Sequence, residues 1–137
     1  PQYIVSEAIA LNCANACGIL EDFLEDENLV STVSGRMSSG EFCFNIAAGG
    51  IQQAIDVRNS QIEIDAAYEG RSCLALFEAK RDISNDFLVR QLYYPFRAWC
   101  NRVTKKIKPV FLVFSNGVFY LYQYEFTDPQ VIILCPL

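Results

Sequence analysis

The sequence predicts a mixed α/β domain, in which helices flank a central β-sheet whose strands run in mixed directions. One observation is the predicted order of elements along the chain: a helix, three or more strands, a second helix and two further strands. The other is composition, since 52% hydrophobic and 20% charged residues are typical of a folded globular domain. A length of 137 residues suits one domain over residues 1–137. Because the first residue is Pro1 and not Met, we expect the domain to be part of a longer chain.

The first half of the chain predicts helix followed by strand. Apolar residues at helical spacing predict a helix from Ile4 to about Leu29, broken near Gly18. Residues 35–40 are rich in Gly and Ser and are predicted as a polar loop. Alternating apolar residues then predict a half-buried strand at 42–46, and residues 51–57 form a weaker strand candidate.

The middle of the chain predicts an antiparallel hairpin. Residues 61–68 alternate between apolar and polar side chains, and residues 73–80 form the next strand. A turn at residues 69–72 would set Tyr68 opposite Cys73.

The remaining residues predict a helix and two strands. Ser84, Asn85 or Asp86 can cap a helix that runs to about Val103 and contains Pro95. The basic residues 105–108 are predicted as a loop, and the strands follow at 109–114 and 118–126. The apolar run 131–137 is either a core strand, a truncation point or an interface element.

Three side chains on the predicted hairpin suggest phosphodiester chemistry. Side chains alternate along a strand, so Glu78 and Lys80 share a face and follow Leu74 and Leu76 on it. In the predicted register Glu63 lies opposite Glu78, and Asp65 lies diagonal to it at roughly 5–8 Å. Carboxylates at such separations repel one another unless a cation lies between them, and Mg²⁺ prefers such oxygen ligands. The ordinary alternative is a solvated surface ion pair.

Charge is unevenly distributed along the sequence. The net charge is −5, yet residues 71–108 hold nine of the eleven basic residues and only three acids. This local excess predicts contact with the DNA backbone, and Arg36 in the predicted 35–40 loop could enter a DNA groove. The predicted DNA-binding residues are Arg36, Arg81, Arg90, Arg97, Lys105 and Lys106.

Asp65, Glu78-Ala79-Lys80 and a following helix that carries Gln91 resemble the PD-(D/E)XK nuclease superfamily over roughly residues 60–125. The pattern is most similar to type II restriction endonucleases, followed by archaeal Holliday-junction resolvases. Two positions depart from the common pattern: Ile64 stands where Pro is frequent, and Pro95 stands where some branches have Tyr.

The resemblance implies an αβββαβ restriction-endonuclease-like core and a role for each matching residue. Asp65 and Glu78 would bind metal, Lys80 would be the catalytic lysine and Gln91 a further site residue. The first helix would supply another metal-binding acid, for which Glu7 is a better candidate than Glu21 because it lies in a mainly apolar segment.

The function implied by this resemblance is a Mg²⁺-dependent restriction-type endodeoxyribonuclease in which Mn²⁺ substitutes for Mg²⁺. It also implies a cytoplasmic, prokaryotic protein that binds DNA as a homodimer. Two alternatives stay open, a junction-resolving or repair nuclease on the same fold and a non-catalytic DNA-binding or interaction module. Six cysteines with only Cys13 and Cys17 close together, and no His, argue against zinc. No apolar stretch reaches the ~18 residues of a membrane helix.

Overall fold

The computed structural model describes residues 7–80 and 89–134, and it confirms a mixed α/β architecture. The helices in these ranges are α1 (Glu7–Ala16), α2 (Ile19–Leu24) and α3 (Arg90–Cys100). The strands are β1 (Val30–Ser31), β2 (Gly35–Ser38), β3 (Glu41–Ala48), β4 (Ile51–Arg58), β5 (Gln61–Ile64), β6 (Ala66–Glu69), β7 (Cys73–Lys80), β8 (Lys106–Ser115), β9 (Val118–Gln123) and β10 (Val131–Leu134).

The central sheet has five strands in the order β1-β6-β7-β8-β9. β7 pairs in parallel with β8, and the other neighbours pair antiparallel. Alternate residues of β7 face opposite layers because side chains alternate along a strand. Phe77 and Ala79 pack with Leu11 of α1, whereas Leu74 and Leu76 pack towards α3. The sheet is therefore covered by a helix on each face, and Glu78 projects on the α3 side.

A long, bent hairpin leads away from the central sheet. β2 pairs with β5 and β3 pairs with β4, both antiparallel. The bonds Ser39 N–H to Ser60 O (2.8 Å) and Asn59 N–H to Gly40 O (2.9 Å) join the two ladders. We call residues 41–58 the arm; β10 pairs in parallel with β3 along its outer part. The chain thus runs from the arm through β5 directly to Asp65.

Several predicted elements of the first half are confirmed, and one is wrong. The N-terminal helix breaks at Gly18 as predicted, where φ is 75°, but it ends at Leu24 and not near Leu29. The strands predicted at 42–46 and 51–57 form β3 and β4. The loop predicted at 35–40 is wrong, because residues 35–38 pair with β5 as β2. Arg36 consequently lies on a strand opposite Glu63 and not on a loop.

The predicted hairpin is present, but its register is shifted by two residues. Tyr68 pairs with Ala75 and not with Cys73, and the predicted strand 61–68 bends at Asp65 between β5 and β6. The turn is longer than expected because Asp26 accepts hydrogen bonds from the backbone N–H groups of residues 71–73. A Cβ on Gly70 would lie 2.3 Å from Asp26 Oδ2, so only glycine fits at this approach.

The C-terminal elements agree in order and differ in their bounds. Within the described residues α3 ends at Cys100 and not near Val103, and Pro95 lies inside it as expected. The predicted capping residues 84–86 lie outside the described residues. β8 begins at Lys106, so the loop predicted for residues 105–108 is mostly strand. Residues 131–134 form β10.

Candidate active site

The two acids of the predicted site lie at the open end of the β6–β7 hairpin. Asp65 occupies the bend between β5 and β6, and its Oδ2 accepts a hydrogen bond of 2.8 Å from the N–H of Ala79. Continuing the β6–β7 register places Asp65 opposite Glu78. The expectation that Glu63 would lie opposite Glu78 is wrong, because the longer turn moves every pairing by two residues. A shift of two keeps the side chains on the expected face.

Lys80 completes the predicted set on this face. Its Nζ lies 3.4 Å from Glu78 Oε1, with 34% of the Lys80 side chain exposed against 9% of the Glu78 side chain. The strand therefore runs from the buried Leu74 and Leu76 to a buried acid and then to a lysine that reaches solvent. Because the Lys80 side chain is partly exposed, its ammonium can contact a ligand while it stays paired with the buried Glu78 carboxylate.

Burial raises the pKa of both acids. Removal from water and then the neighbouring Asp65 carboxylate raise the pKa of Glu78 to about 7, although Lys80 opposes the shift. Burial is also the largest cause of the raised pKa of Asp65, and Glu63 adds to it, while the hydrogen bond from Ala79 lowers it. The pair therefore retains a proton more readily than two exposed carboxyl groups would.

A cavity of about 340 Å³ opens directly onto these side chains. Its walls come from β5, Asp65, the end of β7 and the first two turns of α3. Arg90, Gln91 and Tyr94 line the α3 side, so the structure brings Gln91 to the acids as expected. Gln91 Oε1 is buried and has no hydrogen-bond partner in the described part of the chain. Gln91 therefore brings to the cavity a buried acceptor that has no donor in the described part of the chain.

Arg97 has a role that sequence reasoning missed. Its Nη1 donates to Cys43 O (3.0 Å), Tyr93 Oη (2.9 Å) and Pro129 O (3.0 Å). The guanidinium also lies 4.8 Å from the centroid of the Phe42 ring. These contacts join α3 to the arm and hold the helix that forms one wall of the cavity. Arg97 was predicted to bind DNA, and its Nη1 is engaged in these bonds within the protein.

The remaining predicted DNA-binding residues do not form one surface. Arg90 lies at the cavity and Arg36 is exposed on β2. Lys105 Nζ donates to Gly70 O (2.8 Å) and lies 3.6 Å from Glu69 Oε2, at the turn end of the hairpin. Lys106 pairs with Cys73, five residues before Glu78 along β7, or about 16 Å away at ~3.3 Å per residue. Arg81 lies outside the described residues.

The additional metal-binding acid stays a prediction. Glu7 is the first residue of α1, and its side chain lies outside the described part. Glu21 lies on α2 beside Asp26, at the turn end of the hairpin. No group of three or more His, Cys, Asp or Glu side chains within residues 7–80 and 89–134 is arranged to hold a metal ion. The carboxylates and amides that line the cavity belong to Asp65, Glu78, Glu63, Gln61 and Gln91.

Other side-chain and helix properties add little to the site. The described cysteines 13, 17, 43, 73 and 100 are free thiols. None of the helices within the described ranges has the length and apolar character needed to cross a membrane.

Comparisons with known proteins give a family and no activity. No curated protein matches the sequence. A solved structure titled "Crystal structure of SSO0001" aligns over 87% of this chain and 52% of its own, with 16% identity and a TM-score of 0.33. This chain thus spans about half the length of that protein, and so low a TM-score carries no argument. The family model described as a domain of unknown function (DUF6997) matches residues 1–134, and the chain therefore belongs to that family.

Proposed function

We propose that this protein is a Mg²⁺-dependent endodeoxyribonuclease, of restriction type. The observation that carries the proposal is the pair of acids, half-buried Asp65 and buried Glu78, which line an open cavity and have raised pKa values. The two carboxylates repel each other, and Lys80 offers the pair a single positive charge, so a bound cation or a proton would stabilise the pair further. Strongly perturbed acids in a cleft are typical of functional sites.

The donor set fits a hard divalent cation. Mg²⁺ takes oxygen ligands and is commonly held by one or two carboxylates plus substrate phosphate. Asp65 and Glu78 supply the carboxylates, and the unpartnered Oε1 of Gln91 supplies a neutral oxygen. A bound divalent cation would provide Lewis-acid activation of a phosphodiester and of water, and Mn²⁺ should substitute.

The chain's own residues supply positioning and charge. The ammonium of Lys80 lies at the cavity wall, where it can stabilise the charge that develops on a phosphate during hydrolysis. Arg90 also lines the cavity and offers a planar guanidinium to a phosphate. Because the chain has no His, proton transfer must involve Lys80, a carboxyl group or water. With a pKa of about 7, Glu78 can hold or release a proton near neutral pH.

A cleavage assay tests the proposal. The protein is incubated with supercoiled plasmid, linear duplex and four-way branched DNA in Mg²⁺, Mn²⁺ or EDTA. We expect cleavage of duplex DNA that requires a divalent cation and is lost in Asp65→Asn, which keeps the side-chain volume. Selective cutting of the branched substrate would instead identify a junction-resolving nuclease.

Two results would contradict the proposal. One is the absence of cleavage of all three DNAs in both metals, and cation-independent DNA binding in that case would identify a non-catalytic DNA-binding module. The other is equal cleavage by wild type and Asp65→Asn, which would show a contaminating nuclease or a different site.

A further inference from the structure

Most basic side chains within the described ranges have a partner inside the protein. They form ion pairs with acids, donate hydrogen bonds to backbone carbonyl groups or lie over aromatic rings. Among the residues that the structure describes, the exceptions are Arg36 and Lys106, whose exposed side chains have no such contact. Lys106 lies at the turn end of the β6–β7 hairpin, away from the cavity. Arg36 is therefore the stronger candidate for contact with a ligand of the cavity.

The pairing of β2 with β5 places Arg36 beside the cavity. Arg36 lies opposite Glu63, and Glu63 lines the cavity. Directly opposed residues of an antiparallel ladder project from the same face, so the Arg36 side chain lies on the face that borders the cavity. Within residues 7–80 and 89–134 the two side chains form no ion pair, although their charges are opposite. The guanidinium is therefore available to an anion from outside the chain.

Arg36 and Lys80 lie on opposite sides of the acids. The register of β1 on β6 continues unbroken as the register of β2 on β5. β2 therefore follows the same edge as β1, whereas β7 pairs with the opposite edge of β6. Lys80 stands at the end of β7 beside Glu78, and Asp65 stands between β5 and β6. Positive charge thus flanks the two acids on both sides.

The spacing between Arg36 and the acids suits a nucleic-acid strand. Arg36 is one strand and two residues away from Asp65, or about 4.8 Å and about 6.6 Å, so the two Cα atoms lie roughly 8 Å apart. Successive charges along one strand of DNA are spaced by ~3.4 Å of helix axis. A phosphate bound at the acids therefore has a neighbour about two or three nucleotides away that lies close to Arg36.

We propose that the strand to be cut crosses the acids from β7 to β2, and that Arg36 binds one of its phosphates within about three nucleotides of the cut. The inference rests on the proposed nuclease function and adds the path of its substrate. A guanidinium binds phosphate through paired, charge-assisted hydrogen bonds. Three acids, Glu63, Asp65 and Glu78, line the cavity and repel a polyanion. Positive charge on each side of the crossing offsets that repulsion.

The alternative partner of Arg36 is Glu63 of the same ladder. An ion pair between them in solution would engage the guanidinium within the protein. Replacing Arg36 would then lower stability and leave DNA affinity unchanged. The experiment therefore measures both quantities.

The experiment neutralises one phosphate at a time. Wild type first cleaves a duplex in Mg²⁺ so that its cut position is mapped. Versions of this duplex then carry a single uncharged methylphosphonate at each position around the cut, and anisotropy in EDTA gives their affinities for wild type, Arg36→Gln and Arg58→Gln. Arg58 is an exposed arginine on β4 that pairs with Asp56, and it serves as the matched control. Urea denaturation gives the stability of each variant.

Arg36→Gln should bind the natural duplex about tenfold more weakly than wild type, the scale of a lost hydrogen bond to a charged group. Wild type and Arg58→Gln should lose a similar affinity when one particular phosphate within about three nucleotides of the cut is neutralised. Arg36→Gln should be insensitive at that position and remain sensitive at the others. Its stability should equal that of wild type.

Three results would overturn the inference while leaving the nuclease proposal standing. One is a profile of sensitive phosphates in Arg36→Gln that matches the wild-type profile. Another is a lost contact more than half a helical turn from the cut. The third is reduced stability with unchanged DNA affinity, which would assign Arg36 to Glu63. Wild type that binds duplex DNA without cutting it, or that does not bind it, would refute both proposals because no strand is then cut.

Discussion

Each end of the β6–β7 hairpin has a carboxylate, and the surroundings shift the pKa values of the two carboxylates in opposite directions. At the turn, Asp26 accepts hydrogen bonds from the N–H groups of Arg71, Ser72 and Cys73, from its neighbour Glu27, and from the Ser72 hydroxyl. The Ser72 N–H is the largest cause of a pKa held well below the usual range of an Asp. The Asp26 carboxylate is fully satisfied and fixes the turn.

At the open end, Asp65 receives a single backbone N–H among the described residues and faces a second acid. Burial raises its pKa and that of Glu78. The comparison shows how the surroundings of the same functional group decide whether its pKa is lowered or raised. A carboxylate supplied with several donors has a lowered pKa and stabilises the native state, whereas Asp65 and Glu78, which share one N–H and one ammonium, keep raised pKa values.

The largest expected effect is a difference in cleavage rate between variants at the two ends of the hairpin. If the acids hold the cation of the proposed nuclease, Glu78→Gln or Asp65→Asn should lower the cleavage rate roughly 10³-fold or more, because each removes a negative charge from the cation site. Asp26→Asn should leave the rate per folded molecule within threefold of wild type and should lower the melting temperature. Initial rates on one duplex substrate, with the folded fraction measured by circular dichroism, provide the check. Comparable cleavage defects at both ends would mean that the loss reflects folding and not chemistry.

Lys80 should show the next largest effect. If its ammonium stabilises charge on the reacting phosphate, Lys80→Ala should lower kcat about 10²-fold with little change in DNA affinity. Lys80→Arg should restore little activity, because a planar guanidinium places its donors differently. Single-turnover cleavage and anisotropy titrations separate rate from affinity. A variant that only binds DNA more weakly would make Lys80 a phosphate anchor.

The pH dependence of stability should also differ between the two ends. The folded-state pKa of Glu78 is about 7 against an ordinary 4.5, so the native state binds more protons and stability falls as pH rises between these values. The size of this fall is about 1–3 kcal/mol. The pKa of Asp26 is lowered from 3.8, so its contribution is present above that pH and is lost as pH falls below it.

Urea denaturation in EDTA from pH 3 to pH 8 measures the free energy of unfolding and tests both predicted pH dependences. Glu78→Gln should flatten the profile between pH 5 and pH 8 and be more stable than wild type at pH 8. Asp26→Asn should flatten it only below pH 4. A Glu78→Gln profile that still falls between pH 5 and pH 8 would exclude Glu78 as the group responsible.

Local patterns predicted the site better than they predicted the turn that sets its register. Alternation along β7 placed Glu78 and Lys80 on one face after Leu74 and Leu76, which depends only on neighbouring residues. The register was wrong because Asp26, 45 residues before Arg71, fixes the turn through space. In the sequence Asp26 stands in an acidic run that is typical of a solvated surface. The contact is visible in the structure alone, through the hydrogen bonds from residues 71–73 and the close approach of Gly70 to Asp26.

The strand β2 and the basic residues show the same limit, because their placement depends on residues that are distant in the sequence. Residues 35–38 have the composition of a loop, and they form a strand because β5 supplies the partner. The basic stretch 71–108 is continuous in sequence, yet β7 and β8 carry its members to opposite ends of the sheet. The sequence thus suggested one basic surface, whereas the fold places the basic residues in separate regions.

The smallest expected effect tests which of these regions meets DNA. Arg90 lines the cavity, with its guanidinium 5.7 Å from the centroid of the Tyr94 ring, whereas Lys106 is exposed at the turn end beside Cys73. If the backbone passes over the acids, Arg90→Ala should reduce the slope of log affinity against log salt by about 0.9, the share of one phosphate contact. Lys106→Ala should change the slope much less. Anisotropy of a labelled duplex between 50 and 200 mM NaCl in EDTA measures both without cleavage. An equal or larger change for Lys106→Ala would place the DNA across the turn held by Asp26, and the acids at the open end would then need another ligand.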